Sequence, residues 1–443
     1  MLLKTFAKGG IHPPEHKISS GKEIEKLPVP ETVTIPVSQH IGAPSKVLVK
    51  RGDSVKTGQL IAESTGFVSA NTHSSVTGTV VKIDSVTDTS GYRRPAVVVK
   101  TEDDQWVDGV DLSPEMKKDF ELNKDKIIQK ILGAGIVGLG GATFPSHVKL
   151  SVPKGKKAEY LILNGVECEP YLTADHSLML EKGEEILTGA RILMKALEVD
   201  KCIIGIENNK PDAIAHLSNL SAGDDHISIQ ALKVKYPQGG EKQLVKALLD
   251  RSVPSGGLPI DVGVVVFNVG SVFAVYEAVQ KNKPLIERVV TVTGKSVSKP
   301  SNLRVRIGTP VSALIDAAGG LPEDTGKVVS GGPMMGKALN SLDTPVMKGS
   351  SGLLIIPEKE SRRDAVRACI RCTKCVSVCP MGLEPYLLMT EVQKEKYEMA
   401  EQDRVMDCIE CGSCSYICPS NRPLLDYIRL GKVTVGKIIR SRK

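Results

Sequence analysis

Eight of the ten cysteines in this 443-residue chain fall between Cys369 and Cys418, in two copies of one spacing. Cys369, Cys372, Cys375 and Cys379-Pro380 follow C-x2-C-x2-C-x3-C-P, and Cys408, Cys411, Cys414 and Cys418-Pro419 repeat it. Three thiolates spaced by two residues curl around one corner of a cubane and hold three irons. The fourth cysteine points away and completes the other cluster. The spacing therefore predicts two [4Fe–4S] clusters. One is held by Cys369, Cys372, Cys375 and Cys418, the other by Cys408, Cys411, Cys414 and Cys379. Zinc prefers paired C-x2-C arms in groups of four, which two complete ferredoxin motifs do not match. Any fold must bring the two motifs side by side. The 28 residues between Cys379 and Cys408 have helical spacing over Pro385 to Met399, with the proline suited to a first helical position. A helical 2[4Fe–4S] ferredoxin-like module over 358–430 is expected.

The rest of the chain has ordinary globular content, 41% hydrophobic and 25% charged, enough to bury cores and to exclude global disorder. Its length fits about two to four domains. The longest nearly uninterrupted apolar run, Val262 to Tyr276, is too short to span a bilayer and contains Asn268. No secretory signal is visible at the N-terminus. A cytoplasmic, reducing setting is expected, where clustered cysteines bind metal and do not form disulfides. Aromatic residues make up only 4%, which argues against a nucleic-acid groove built on stacked rings.

Four modules are expected. Residues 1–110 carry short β runs broken by glycine, as in Val47 to Ala62 and Val76 to Val81, and resemble a biotinyl/lipoyl-type barrel-sandwich hybrid. No lysine stands between Lys56 and Lys82, so the acylated lysine of a working carrier is absent. Residues 111–285 alternate apolar runs ending in Asn164, Glu207 and Asn268 with helical stretches. That pattern predicts an α/β layer with a mostly parallel sheet and ligand groups at the strands' carboxyl ends. Residues 286–345 read as a hairpin crossed by one helix, a β-grasp. Residues 431–443 form a basic tail.

The Gly133–Gly138 G-x-G-x-x-G follows a helical segment, not a strand, so it is not a dinucleotide fingerprint. The overlapping Gly138-Leu139-Gly140-Gly141-Ala142-Thr143-Phe144-Pro145, with Lys149 beyond it, has glycines that let backbone N–H groups approach a phosphate. Asn164-Gly165-Val166-Glu167-Cys168-Glu169-Pro170 puts two carboxylates and an amide after the first clear strand. Tyr236 to Lys242, which includes Glu241, and Asn268 to Ser271 add further polar groups. Cys168 and Cys202 are expected to be buried as small apolar residues.

Gly138–Pro145 with Lys149, Asn164–Pro170 and Asn268–Ser271 resemble the flavin and nicotinamide site of the NADH-oxidising flavoprotein subunit of respiratory complex I. Leu139, Thr143, Val166 and Gly270 stand where that family carries other residues. The full order, from Phe6-x2-Gly9-Gly10-Ile11-His12-Pro13 through the sandwich hybrid, flavin domain, β-grasp and twin clusters, resembles the RnfC family of Rnf complexes, the ion-translocating ferredoxin:NAD oxidoreductases. Cobalamin reductase is similar in its domains. The resemblance implies noncovalent FMN on Gly138, Gly140, Gly141, Lys149, Asn164 and Asn268, with Ser271, Tyr236 and Glu241 lining the site. It also implies NADH stacked near Phe144, and Glu167 and Glu169 contacting it or ordering the flavin edge. No catalytic acid or base is implied. The implied partners are the other subunits of a membrane complex, including a ferredoxin-like iron–sulfur subunit, with this chain peripheral on the cytoplasmic side. The alternatives are a cobalamin reductase of the same architecture, or an electron relay whose flavin site is non-functional.

The formal charge is +7. Pro419 to Lys443 holds seven Lys/Arg and one Asp, so +6 of that surplus is local. A solvated end is the simpler expectation for the tail. A docking strip for an acidic partner or the membrane surface is the alternative.

Overall fold

Exposed strand edges explain how the chain begins. The computed structural model describes residues 3–89 and 91–442; Met1, Leu2, Ser90 and Lys443, the last residue of the expected basic tail, lie outside the described residues. Lys4 bridges to Leu232 and Ile11 to Tyr236. β1 (Ile24–Lys26) pairs in parallel with Ser301–Arg306. The Lys4 and β1 contacts each cover a strand edge that would otherwise present unpaired N–H and C=O groups. Phe6 is buried in the core between the α/β sheet and its helices. By packing, Lys4 to Leu27 thus lie against the later modules, although the sequence places them in a 1–110 sandwich domain.

The sandwich hybrid occupies β2 (Thr32–Pro36), β3 (Lys46–Val47), β4 (Ser54–Val55), β5 (Leu60–Glu63), β6 (Thr72–His73), β7 (Gly78–Thr87) and β8 (Arg93–Thr101). They form two sheets, in orders β2-β8-β7-β4 and β3-β5-β6. Val33, Ile35, Val55, Ile61, Val80, Val97 and Val99 fill the space between them, as period-two alternation places apolar residues inward.

The α/β domain runs α1 (Lys124–Gly133), α2 (Ser146–Leu150), β9 (Tyr160–Asn164), α3 (Ala174–Glu181), α4 (Gly183–Leu197), β10 (Cys202–Glu207), α5 (Pro211–Leu220), β11 (Ile227–Leu232), α6 (Glu241–Leu249), β12 (Val264–Asn268) and α7 (Val269–Gln280). Its four strands are parallel, in order β11-β10-β9-β12. Leu161, Leu163, Val265 and Phe267 pack with α1, α4 and α7. Ile162, Val264 and Val266 pack with α6 on the other face. After β9 the chain adds strands to one side, then places β12 on the other. That reversal leaves a crevice at the carboxyl ends of β9 and β12, where open α/β sheets bind ligands.

In the β-grasp, β13 (Glu287–Thr293) and β14 (Ser301–Arg306) form an antiparallel hairpin, followed by α8 (Val311–Ala317), β15 (Thr325–Ser330), β16 (Lys337–Ala338) and β17 (Gly352–Pro357). β17 pairs in parallel with β13 and antiparallel with β15. It lies beyond the expected boundary at 345, because the central β13 needs a second neighbour to complete the sheet.

The last module holds α9 (Glu358–Ser361), α10 (Lys374–Ser377), α11 (Pro385–Gln393), α12 (Tyr397–Gln402), α13 (Ser413–Tyr416) and α14 (Leu424–Ser441). The helix expected over 385–399 is two helices, broken beside Glu395 with its φ of 55°. Residues 431–442 of the expected tail are not a separate segment. α14 continues to Ser441 and buries Leu424, Ile428 and Val435, the last two in one core with Leu388 and Val392 of α11. Deleting 432–443 would therefore damage the cysteine module itself. Among the described residues no helix is long and apolar enough to cross a membrane.

Candidate redox site

The parallel register sets Asn268 directly beside Asn164 at the sheet's carboxyl edge. Asn164 donates through Nδ2 to the Gly239 carbonyl (2.8 Å) and accepts from the Val166 amide (3.2 Å). Asn268 caps α7, accepting from the Gly270 amide at 2.9 Å, and donates to Asp175 at 2.6 Å. The glycine turn lies against this edge. Gly138 N–H donates to the Phe144 carbonyl (2.9 Å), closing the loop, and Leu139 N–H donates to the buried Ser271 hydroxyl (2.8 Å). Gly140, Gly141 and Ala142 at the tip are exposed. A Cβ on Gly140 would come within 3.4 Å of the Asn268 Cβ, so turn and strand end are in close contact. Gly141 has φ of 107°, where only glycine is unstrained. A Cβ there would meet open space, so the tip is freely approached from solvent. An exposed glycine turn above two strand-end amides suits a phosphate and a polar-edged ring such as those of FMN.

Three charged residues expected at the ligand are engaged elsewhere. Lys149 donates to Glu241 (2.7 Å) and to the Val266 carbonyl (2.9 Å), so its charge ties α2 to the start of α6. Glu167, at φ 45°, turns its carboxylate onto the amides of Asp175 (2.8 Å) and His176 (3.2 Å) and satisfies the first turn of α3. Glu169 accepts from the amides of Met334 (3.2 Å) and Met335 (2.8 Å) in the β-grasp loop. A buried carboxylate must find donors, and these peptides supply them. Burial raises the Glu169 carboxyl to about 7 against those amides.

Lys17 and Asp175 escape the sequence reading. Lys17 donates to the carbonyls of Glu167, Glu169 and Leu172 at 2.7–2.9 Å, which fixes the acidic loop. Asp175, pushed up to about 7 by burial and then by Glu167, receives the Asn268 amide. Asp175 has a faint signal, an acid in a helix's first turn just after a strand-end loop. Lys17 has none. Cys202 is fully buried in the apolar core and Cys168 partly so.

Tyr236 joins the sheet to the cysteines. It is buried, and its hydroxyl donates to the Cys411 carbonyl at 2.8 Å and lies 3.4 Å from Glu169. The opening segment wedges into the same junction. Gly10 N–H donates to the Val378 carbonyl, and Ile11 exchanges backbone bonds with Tyr236. Ile11, Tyr236 and Cys411 share one small apolar cluster.

Cys379, Cys408, Cys411 and Cys414 line one cavity, closed by Leu383, Leu388 and Ile428. These are the four that the spacing groups together. Cys375 and Cys418 border another apolar cluster around Met389, Cys414 and Leu424, while Cys369 and Cys372 are exposed. Among the described residues no three metal-ligating side chains converge as a single-ion site needs. Four thiols ringing a cavity suit a cluster several atoms across.

Comparison with known proteins covers nearly all of the chain. Residues 4–104 match the RnfC barrel-sandwich hybrid domain and 131–277 the Nuo51 FMN-binding domain. Residues 289–338 match the SLBB domain and 361–419 the 4Fe-4S dicluster domain. The RnfC-type component of the proton-translocating ferredoxin:NAD(+) oxidoreductase complex of Clostridium ljungdahlii is 47% identical, over 90% of this chain and 87% of its own. Its counterpart in the Na(+)-translocating complex of Acetobacterium woodii is 44% identical over 96% of both chains. The counterpart in the ion-translocating oxidoreductase complex of Rhodobacter capsulatus is 41% identical, over 97% of this chain and 83% of its own. A crystal structure of an NAD+-reducing [NiFe]-hydrogenase in the H2-reduced state is similar with a TM-score of 0.49 and 18% identity, covering 71% of this chain and 63% of that one. At the identity and coverage of the first three, the chain belongs to the RnfC family of ion-translocating ferredoxin:NAD(+) oxidoreductase complexes.

Proposed function

We propose that this chain is the electron-transfer subunit through which a multi-subunit, ion-translocating complex exchanges electrons with NAD(H), using one noncovalent FMN and two [4Fe–4S] clusters. One observation carries the reading. The Tyr236 hydroxyl on the Cys411 carbonyl ties the second cysteine motif to the loop whose Gly239 carbonyl accepts from Asn164 at the crevice. When bound, FMN would supply hydride exchange with NADH and one-electron exchange with the clusters. The chain's own residues bind and orient. Gly140 and Gly141 offer exposed backbone to the phosphate, Gly138 closes the turn through the Phe144 carbonyl, and Ser271 holds that turn in place through Leu139. Asn164 and Asn268 present their edges in the crevice. Lys149 and Glu241 brace its far wall, and Phe144 closes the turn with its carbonyl beside the nicotinamide's place.

Cys379, Cys408, Cys411 and Cys414 hold the cluster nearest this crevice, and Cys369, Cys372, Cys375 and Cys418 the outer one. The exposure of Cys369 and Cys372 suits delivery to a ferredoxin-like iron–sulfur partner. In the complex the chain is peripheral, on the cytoplasmic side of the membrane. Purified chain with reconstituted clusters should carry one FMN and about eight irons, the sum of two four-iron clusters, and reduce a dye with NADH. Lack of both flavin and NADH-dependent reduction would overturn the reading.

A further inference from the structure

The β16–β17 loop of the β-grasp brings a buried lysine to the base of the glycine turn. Lys348 is 1% exposed, and no carboxylate among the described residues pairs with it. Burial without an acid brings its pKa down to about 7. A buried ammonium must find acceptors, and Lys348 finds a carbonyl in each of two other modules. Its Nζ donates at 2.7 Å to Gly135, just ahead of the glycine turn, and at 2.7 Å to Asn71, in the lysine-free stretch of the sandwich hybrid. A Cβ on Gly135 would lie 2.3 Å from the Asn71 carbonyl oxygen and 3.0 Å from the lysine Nζ, so the three groups are in close contact. The lysine's own peptide is held as well. Its N–H donates to buried Gln39 of the sandwich at 2.8 Å, and its carbonyl accepts from Arg288 of β13. The next residue reaches the return of the turn. A Cβ on Gly349 would lie 2.8 Å from Cγ2 of Thr143 and 3.7 Å from the Gly141 carbonyl oxygen. From the sandwich, Ile41 N–H donates to the Thr143 carbonyl at 3.4 Å.

We propose that Lys348 is a positioning residue for the flavin: with Gly349 it clamps the glycine turn, between the β-grasp and the sandwich, in the shape that receives the FMN phosphate. The inference rests on the FMN reading above and deepens it, giving the two outer modules a part in flavin binding. A glycine-rich turn has much conformational freedom to lose when it is ordered. The flavin domain itself holds this one through Gly138 and Leu139. Lys348, Gly349 and Ile41 hold what those bonds leave free, the entry at Gly135 and the return at Thr143. Lys149, the lysine expected at the phosphate, is tied to Glu241 instead.

The test uses the full chain with its clusters in place, stripped of flavin and titrated with FMN and with riboflavin, which lacks the phosphate. Lys348→Met removes the ammonium and keeps most of the side chain's volume. It should weaken FMN binding about tenfold, the loss expected if the competent turn falls to about a tenth of the population. Riboflavin binding and iron content should stay at the wild-type level. Gly349→Ala leaves the lysine in place and sets a methyl against Thr143, and FMN affinity should fall in the same direction. Thr143→Ser removes the opposing methyl, so adding it to Gly349→Ala should restore FMN affinity. If Lys348→Met does not fold, the Gly349 pair decides alone. Unchanged FMN affinity in Gly349→Ala would overturn the clamp, as would equal losses for FMN and riboflavin or a double variant that recovers nothing. Wild-type protein that takes up no FMN would overturn the underlying reading as well.

Discussion

The two cysteine motifs share a spacing and a backbone but not an environment. Arg371 and Glu410 both take left-handed φ, 55° and 57°, and so do Thr373 and Gly412 at 57° and 79°. Each motif then enters a four-residue helix, α10 or α13. Around the first copy, residues 362 to 374 are all exposed. Around the second, Cys411 and Cys414 are buried, Tyr236 seals the Cys411 carbonyl, and Glu410 is held by Arg429 (3.2 Å) and Lys432 (2.8 Å) from α14. Spacing fixes how a motif wraps its cluster. The residues between the ligands decide which copy the protein buries and which it offers outward.

Gly412 gives the sharpest way to break this comparison. A Cβ there would lie 2.7 Å from the Met334 carbonyl, on a backbone with φ of 79°. Gly412→Val should cost about 3 kcal/mol or more from strain and overpacking together. Iron content should fall by about half as the second of two four-iron clusters is lost. Thr373→Gly, at the matching exposed position, should keep all its iron. Equal iron loss in both variants would show that motif geometry, not surroundings, separates the copies.

Removing the Tyr236 hydroxyl is the next largest change. Tyr236→Phe leaves the Cys411 carbonyl without its donor and should destabilise by about 1–3 kcal/mol, the cost of an unsatisfied buried group. Chemical denaturation read at both the flavin domain and the clusters would measure it. At the first motif the matching Cys372 carbonyl accepts from the exposed Thr373 hydroxyl next to it (2.8 Å) and not from another module, so its cluster signal should be untouched below the transition.

Much of the architecture is legible without the fold because it is written in local patterns. The thiol spacing, the strands ending in Asn164 and Asn268, and the β-grasp hairpin each occupy a short window of sequence. What escapes depends on partners distant in sequence. A carboxylate after a strand reads the same whether it faces a ligand or caps a helix, and only the left-handed turn at Glu167 sends that side chain onto α3. Glu169 and Lys149 are likewise claimed by Met334, Met335 and Glu241, at separations of 92 to 166 residues. β17 goes unseen because its pairing with β13 leaves no mark in its own residues. The amphipathic α14 reads as a tail because its charges are conspicuous and its buried stripe is not.

The buried flank should also carry a pH signature that the exposed one lacks. Glu169, behind Tyr236, is raised to about 7 by burial, against the Met334 and Met335 amides. Its ordinary value is 4.5, so between these limits the folded state holds more protons than the unfolded. Its contribution to stability therefore falls as pH rises from about 4.5 to about 7. Glu169→Gln removes that slope. Its thermal midpoint relative to wild type should climb between about pH 4.5 and 7, whereas Arg371→Gln on the exposed flank should give a flat difference. A flat difference for both would mean that the second motif is no better sealed than the first.

The smallest expected effect tests the pair that most directly distinguishes the copies. Glu410 and Arg371 occupy the same motif position and the same backbone conformation, but Glu410 is drawn into an ion network with α14 and Arg371 stands in solvent. About a third of the Glu410 side chain is exposed, so solvent screens much of the attraction. Glu410→Gln should cost about 1 kcal/mol or less, in line with partly exposed pairs. Part of even that loss should disappear in high salt. Arg371→Gln should fall within about 0.5 kcal/mol of wild type, as surface changes away from such features do. Denaturant midpoints at low and high salt would resolve both. If the salt dependence followed Arg371 and not Glu410, the outer motif would have an ion partner of its own. The contrast between the two copies would then rest on apolar sealing alone.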